Sequence, residues 1–178
     1  EPIRIFDDYN FSDHENHFIN LKNGVIISAV ERKESIGSRD LFVSFWNGEY
    51  ATIPLNMGSV INTEMEESSP YMSNDNVTLY FASKGHNGFG GHDIFSSTRL
   101  DETWTNWSTP KNLGPAVNST MDDEFFTITD NGGYAIFSRQ VNVHNIDLYK
   151  ISMHDLFNTK TFLPMVTGEF VKLTLKEL

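Results

Sequence analysis

The sequence predicts an all-β fold, and three observations carry that reading. First, short apolar runs at residues 25–27, 77–82 and 134–137 each end on a serine. Ser28, Ser83 and Ser138 are separated by 55 and 55 residues. Second, a loop follows each run and leads to an aspartate-aliphatic-aromatic triplet. These are Asp40-Leu41-Phe42, Asp93-Ile94-Phe95 and Asp147-Leu148-Tyr149, spaced by 53 and 54 residues. Third, no segment keeps a 3.6-residue apolar period beyond two turns, and only residues 153–158 have the pattern of a brief helical turn. A long period built from short β-rich runs is the signature of propeller-like arrays. The expected architecture is β-propeller blades of four antiparallel strands. About three blades are present, preceded by one N-terminal blade strand, so the propeller is partial.

Each element has its own justification. In the second unit the strands are expected at residues 69–73, 77–83, 93–100 and 108–113. The second strand is almost continuously apolar, as expected where both sheet faces are covered. Asn23-Gly24, Asn74-Asp75-Asn76 and residues 130–133 separate the first two strands of the units, and such residues accept the positive φ of tight hairpins. A further register marks the unit ends. Pro54 and Asn62, Pro110 and Asn118, and more weakly Pro2 and Asn10, are each eight residues apart. Glu15, Glu67 and Glu124 then open the next unit. The implied organisation is 1–10 as the last strand of a preceding blade, then blades at 11–62, 63–118 and 119–165. Residues 166–178 are an exit strand or the start of a following domain. On this reading the chain begins inside a repeat and is a piece of a larger array, whose missing blades are supplied by the rest of the chain or by another subunit.

Composition narrows the function classes. A hydrophobic share of 39% with 14 phenylalanines argues for a packed, aromatic-rich domain. The net charge of −11 disfavours nucleic acid and anionic lipid, whose binding draws on clustered Lys and Arg. No apolar stretch approaches the length of a transmembrane helix. Without cysteine there are no disulfides and no Cys-based metal sites.

The repeated polar residues read as architecture. A residue present in every blade serves the blade, whereas an active site requires broken symmetry. Asp40, Asp93 and Asp147 are expected to accept hydrogen bonds from loop N–H groups and from the serine across the hairpin. Glu15, Glu67 and Glu124 receive the same structural assignment. Asp13-His14-Glu15-Asn16-His17 places two imidazoles three residues apart, a spacing that sends them to opposite faces of a strand, so no metal is assigned. The glycine loop 85–91 does not precede a helix and lacks a phosphate-binding geometry, and its expected task is a tight turn. Trp107 fits a repeat position and is expected to pack between blades. Trp104 lies outside the repeat and is the candidate exposed contact, together with the loop residues His86 and His92. No catalytic residue and no cofactor is expected.

The segment Ser83-Lys84-Gly85-His86-Asn87-Gly88-Phe89-Gly90-Gly91-His92-Asp93-Ile94-Phe95 resembles the repeat signature of WD-like, TolB-type propeller blades. Trp107-Ser108-Thr109-Pro110-Lys111-Asn112-Leu113-Gly114, then Asn118 and Glu124, continue it. The similarity is greatest to the variety in OmpA-associated cell-envelope proteins of Bacteroidetes-type bacteria, some of them parts of type IX secretion machinery. It covers roughly residues 1–153, and the first and third units lack the glycine-rich loop. The resemblance implies a non-enzymatic scaffold for protein partners in a periplasmic or outer-membrane-associated, type IX secretion or peptidoglycan-linked complex, and a β-sandwich as the domain that would follow from residue 166. Alternatives are a glycan-binding or glycoside-hydrolase propeller and the propeller portion of a peptidase.

Overall fold

The computed structural model describes residues 14–157. The strand expected at 1–10, Asp13 and the segments expected beyond residue 157 lie outside the described residues. Within them the chain is all-β apart from one short helix, and it forms three antiparallel sheets, none closed. The first sheet holds β1 (Asn16–Asn20), β2 (Val25–Val30), β3 (Asp40–Phe45) and β4 (Leu55–Asn56). The second holds β5 (Glu67–Met72), β6 (Thr78–Ser83), β7 (Asp93–Thr98) and β8 (Lys111–Asn112). The third holds β9 (Asp123–Ile128), β10 (Tyr134–Asn142) and β11 (Asn145–Ser152), and α1 (Met153–Phe157) follows. Each sheet is a meander in chain order. The fourth strands are shorter than the sequence predicts: β8 covers two residues of the expected 108–113, and Trp107 adds one isolated bridge to Arg99. No helix among the described residues is long and apolar enough to cross a membrane.

Turn chemistry sets the hairpins. Gly24, Asn76 and Gly132 adopt φ of 67°, 56° and 68° between the first two strands of the three sheets. This left-handed region is open to Gly and tolerated by Asn.

Alternation along the strands explains how the sheets stack. In the second sheet Leu79, Phe81 and Phe95 join a core with Val25, Ile27, Leu41 and Val43 of the first. Their neighbours Tyr80 and Ile94 point the other way and pack with Phe126, Ala135 and Phe137 of the third. The second sheet is therefore covered on both faces, which is why β6 reads as a continuous apolar run.

The connections between sheets repeat bond for bond. Asn62 accepts from the Leu41 N–H at 2.8 Å and donates to the Leu41 carbonyl at 3.0 Å. Asn118 does the same with Ile94, at 2.8 and 2.9 Å. The Glu67 N–H then donates to the Arg39 carbonyl, and the Asp123 N–H to the His92 carbonyl, both at 2.8 Å. Each sheet thus hands the chain to the next through a buried asparagine and the first residue of the following strand.

The pairing register corrects the serine repeat. Asp40 stands opposite Val30, Asp93 opposite Ser83, and Asp147 opposite Arg139. Val30, Ser83 and Arg139 are the equivalent positions, so Ser28 and Ser138 are not counterparts of Ser83. Ser28 contacts the His17 Nδ1 at 2.9 Å, and Ser138 donates to the Glu124 carbonyl at 3.2 Å. The 55-residue spacing reflects three apolar runs that end near, but not at, the same register.

Candidate functional site

The repeated acids have distinct surroundings. Asp40 is buried and accepts from the Ile36 N–H at 2.7 Å, the Gly37 N–H at 3.2 Å and the Asn56 amide at 2.8 Å. Asp93 accepts from the Phe89 and Gly90 N–H groups at 2.8 and 3.1 Å. Both carboxylates close the loop between the second and third strands of their sheets. The serine does not reach the aspartate: Ser83 donates to Glu67 at 2.7 Å and accepts from the Gly85 and His86 N–H groups of the same loop at 3.0 and 3.3 Å. Asp147 departs from the expectation further. β10 and β11 continue to Asn142 and Asn145, so Asp147 sits inside a paired hairpin and has no long loop to close. Asp93→Ala is expected to lower stability by about 1.5–3 kcal/mol, since two loop N–H donors lose a buried, charged acceptor. Denaturant unfolding measures it, and a parental midpoint would contradict the role.

The first-strand acid needs a second correction. Glu67 pairs with Ser83, and Asp123 pairs with Arg139, so Asp123 rather than Glu124 is the counterpart of Glu67. Glu67 accepts from the Thr63 N–H at 2.8 Å and its hydroxyl at 2.7 Å. Asp123 accepts from the Ser119 N–H at 2.6 Å, its hydroxyl at 2.8 Å and Arg139 Nε at 2.7 Å. Burial pushes both carboxyls above their ordinary values, opposed by these hydrogen bonds. The recurring unit is a Thr or Ser four residues ahead of a buried acid. Extending the β1–β2 register by one residue places Glu15 at this position in the first sheet, where its carboxylate lies 3.5 Å from His17 Nε2.

The glycine loop is constrained by space. Gly85, Gly88, Gly90 and Gly91 are absent from the positive-φ positions. A Cβ at Gly85 would overlap the Thr63 side chain, at Gly88 the Asp93 carboxylate, at Gly90 the Thr120 backbone, and at Gly91 the Asp122 carboxylate. The loop is seated against the connections on either side of the second sheet, and the tight-turn explanation is replaced by close approach.

The three expected ligand contacts are interior or wedged. Trp104 is 5% exposed. Its φ of 63° turns the indole inward, where Arg99 stacks on it at 4.7 Å and Phe45 meets it edge-on at 5.6 Å. Trp107, also buried, donates its indole N–H to the Trp104 carbonyl at 2.8 Å. A surface sugar platform at Trp104 is therefore ruled out. His86 is half-buried beside Phe81 and Phe95, with Nε2 2.9 Å from the Ile61 carbonyl. His92 is 4% exposed.

His92 instead lines a cavity of about 590 Å³ where β1, β5 and β9 begin. The wall repeats in position and differs in chemistry. Arg39 and His92 each precede the loop-closing aspartate. Glu66 and Asp122 each precede the buried first-strand acid, and Asn16, Ser68 and Glu124 each follow it. The last three positions bridge sheets: Asn16 accepts from the Ser69 N–H at 2.7 Å, and Ser68 donates to Glu124 at 2.6 Å. Ser69 and Phe125, with φ of 49° and 55°, mark matching bulges in β5 and β9.

The charged groups converge closely. His92 Nδ1 is 3.3 Å from Asp122 and 3.8 Å from Glu124, and its Nε2 is 3.8 Å from Glu66. Lys84 contacts Glu66 at 2.7 Å and Arg39 reaches it at 3.9 Å. The Lys84 hydrogen bond holds the Glu66 carboxyl below the usual range. Burial holds the His92 imidazole below its ordinary value, against the pull of Glu124 and Asp122. Among the described residues no group of three His, Cys, Asp or Glu side chains is arranged to hold a metal ion. The arrangement is a polar cavity in which the symmetry of the repeat is broken. The surrounding sequence offers one signal for it: an acid, Glu or Asp, is kept at each repeated position while the residues flanking it vary.

Comparison with protein-family profiles, with curated proteins and with solved structures finds no significant match to this chain, so the site is read from its own residues.

Proposed function

We propose that this chain is an arc of a β-propeller that acts as a non-enzymatic, protein-binding scaffold in a Gram-negative cell-envelope assembly. The observation that carries the reading is the repeated hand-over between sheets: Asn62 and Asn118, then the Glu67 and Asp123 N–H groups, make matching bonds. Such repetition stacks sheets face to face with their first strands side by side, the arrangement of blades around an axis. The envelope placement rests on the resemblance of residues 83–95 and 107–124 to the OmpA-associated repeat.

The third sheet supports a partner on its outward face. Ile146 and Leu148 of β11 and Tyr134 of β10 are exposed there, while Phe137, Tyr149 and Ile151 face the core. Exposed apolar sheet surface favours association. The expected result for residues 1–178 is a light-scattering mass that rises with concentration, and a monomer for the double variant Ile146→Lys/Leu148→Lys. A parent that stays monomeric at every concentration would count against the scaffold reading.

A further inference from the structure

We infer that the cavity at the start of β1, β5 and β9 captures the free amino terminus of a peptide chain, its ammonium held between the His92 imidazole and the Glu66 carboxylate. The argument begins with His92, whose side chain is 6% exposed and whose Nε2 is buried without a hydrogen-bond partner. Nδ1 faces two carboxylates, Asp122 and Glu124, and this assigns the ring proton to Nδ1. Nε2 is then a bare acceptor, 3.8 Å from the acceptor oxygen of Glu66. Glu66 Oε2 already accepts from Lys84, so the unserved acceptor is His92 Nε2, and a donor that reaches it lies within range of the Glu66 carboxylate as well. The wall also carries four carboxylates, Glu15, Glu66, Asp122 and Glu124, against the fixed cations Arg39 and Lys84. That excess favours a cation and repels a free anion. Lys84 is an internal example of the contact, with its ammonium 2.7 Å from the Glu66 carboxylate.

A second orphan fixes the kind of ammonium. Arg39 lines the same cavity, and its Nε is a buried donor without an acceptor. The first residue of a peptide offers both complements, an ammonium and, three bonds away, a carbonyl oxygen. A lysine side chain offers only the ammonium. The cavity of about 590 Å³ has room for one or two residues. A second hollow of about 330 Å³, lined by Phe18, Ile19, Pro70, Tyr71 and Phe126, shares Asn16 and Phe125 with its wall. The second or third residue of the peptide is therefore apolar. This deepens the scaffold reading by giving the partner's chemistry, and it rests on that reading for the peptide's origin in a partner protein.

The test is an NMR titration of the 178-residue chain with alanyl-leucine amide. N-acetyl-alanyl-leucine amide, which lacks the ammonium, and N-acetyl-lysine amide, which carries it on the side chain, are the comparison probes. Saturable shifts are expected at the His92 ring and at the Glu124 amide with the first probe, and binding about tenfold or more weaker with the other two. Glu66→Gln, at a partly exposed position, should weaken the first probe by about tenfold while leaving the unfolding midpoint in place. Equal binding of the acetylated peptide, or no effect of Glu66→Gln, would overturn the site. Equal binding of the lysine amide would overturn its assignment to a chain terminus. None of these outcomes depends on the association state, so failure here and failure of the scaffold reading are separable.

Discussion

Asp123→Ala is expected to cost about 3–5 kcal/mol of stability, and Glu124→Ala about 1–2 kcal/mol. Asp123 is fully buried, and removing it leaves the Arg139 guanidinium, the Ser119 N–H and the Ser119 hydroxyl without their acceptor. Arg139 keeps one bond, from its Nη2 to the Val117 carbonyl at 2.6 Å, and this holds its charge in place rather than letting it swing to water. Glu124 is partly exposed, and its carboxylate takes one short hydrogen bond, from Ser68. Against a total of roughly 5–15 kcal/mol, the Asp123 variant should lose a large share of its stability. Its pH response has a definite sign. Because burial raises the Asp123 carboxyl above its ordinary 3.8, its titration favours the fold most fully below that value. The benefit fades as pH rises through the folded-state pKa, so the gap between parent and variant narrows towards neutrality. Urea melts of both variants decide, and equal losses would restore Glu124 as the repeat acid.

The distinction between these two neighbours shows what spacing alone could and could not convey. The aspartates that begin β3 and β7 were legible, because a short acid beside an apolar pair at a fixed offset from a loop has one structural use. Asn62 and Asn118 were legible as markers of the unit ends, although their bidentate grip on Leu41 and Ile94 needed coordinates. The serine register was not, because each apolar run ends within two residues of the position opposite the aspartate, and composition does not say which residue of the run pairs there. Trp104 misled for a related reason. Its neighbours Thr103, Thr105 and Asn106 are those of an exposed loop, and Asp101 does organise that loop through Thr103 and Asn106. The positive φ at Trp104 then drops the indole into the core beside Trp107 and below Arg99. His92 looked like a loop residue because glycines precede it. Its burial comes from the third sheet, whose Asp122 receives the His92 N–H at 2.7 Å across 30 residues of sequence.

Gly90→Ala is expected to cost about 2–4 kcal/mol, although nothing about its backbone forbids a side chain. Gly90 does not adopt positive φ, but an added Cβ would run into the carbonyl carbon of Thr120 and the carbonyl oxygens of Ser119 and Thr120. These are backbone atoms of the connection into β9, and they are held by the Asn118 and Asp123 hydrogen bonds, so relief requires the second and third sheets to part locally. Gly114→Ala is the matched control. It has open space around its Cβ but a φ of 80°, so its cost is the left-handed strain of about 1–2 kcal/mol. The two variants should also differ in where they loosen the protein. Hydrogen exchange in Gly90→Ala is expected to rise first across β9 and β10, while β2 and β3 keep their protection, because the damaged contact joins only the second and third sheets. Gly114→Ala should leave that pattern parental. If both variants lose the same stability with the same exchange pattern, the loop's glycines serve conformational freedom after all. The close seating of residues 85–91 between neighbouring connections would then not be what fixes the stack.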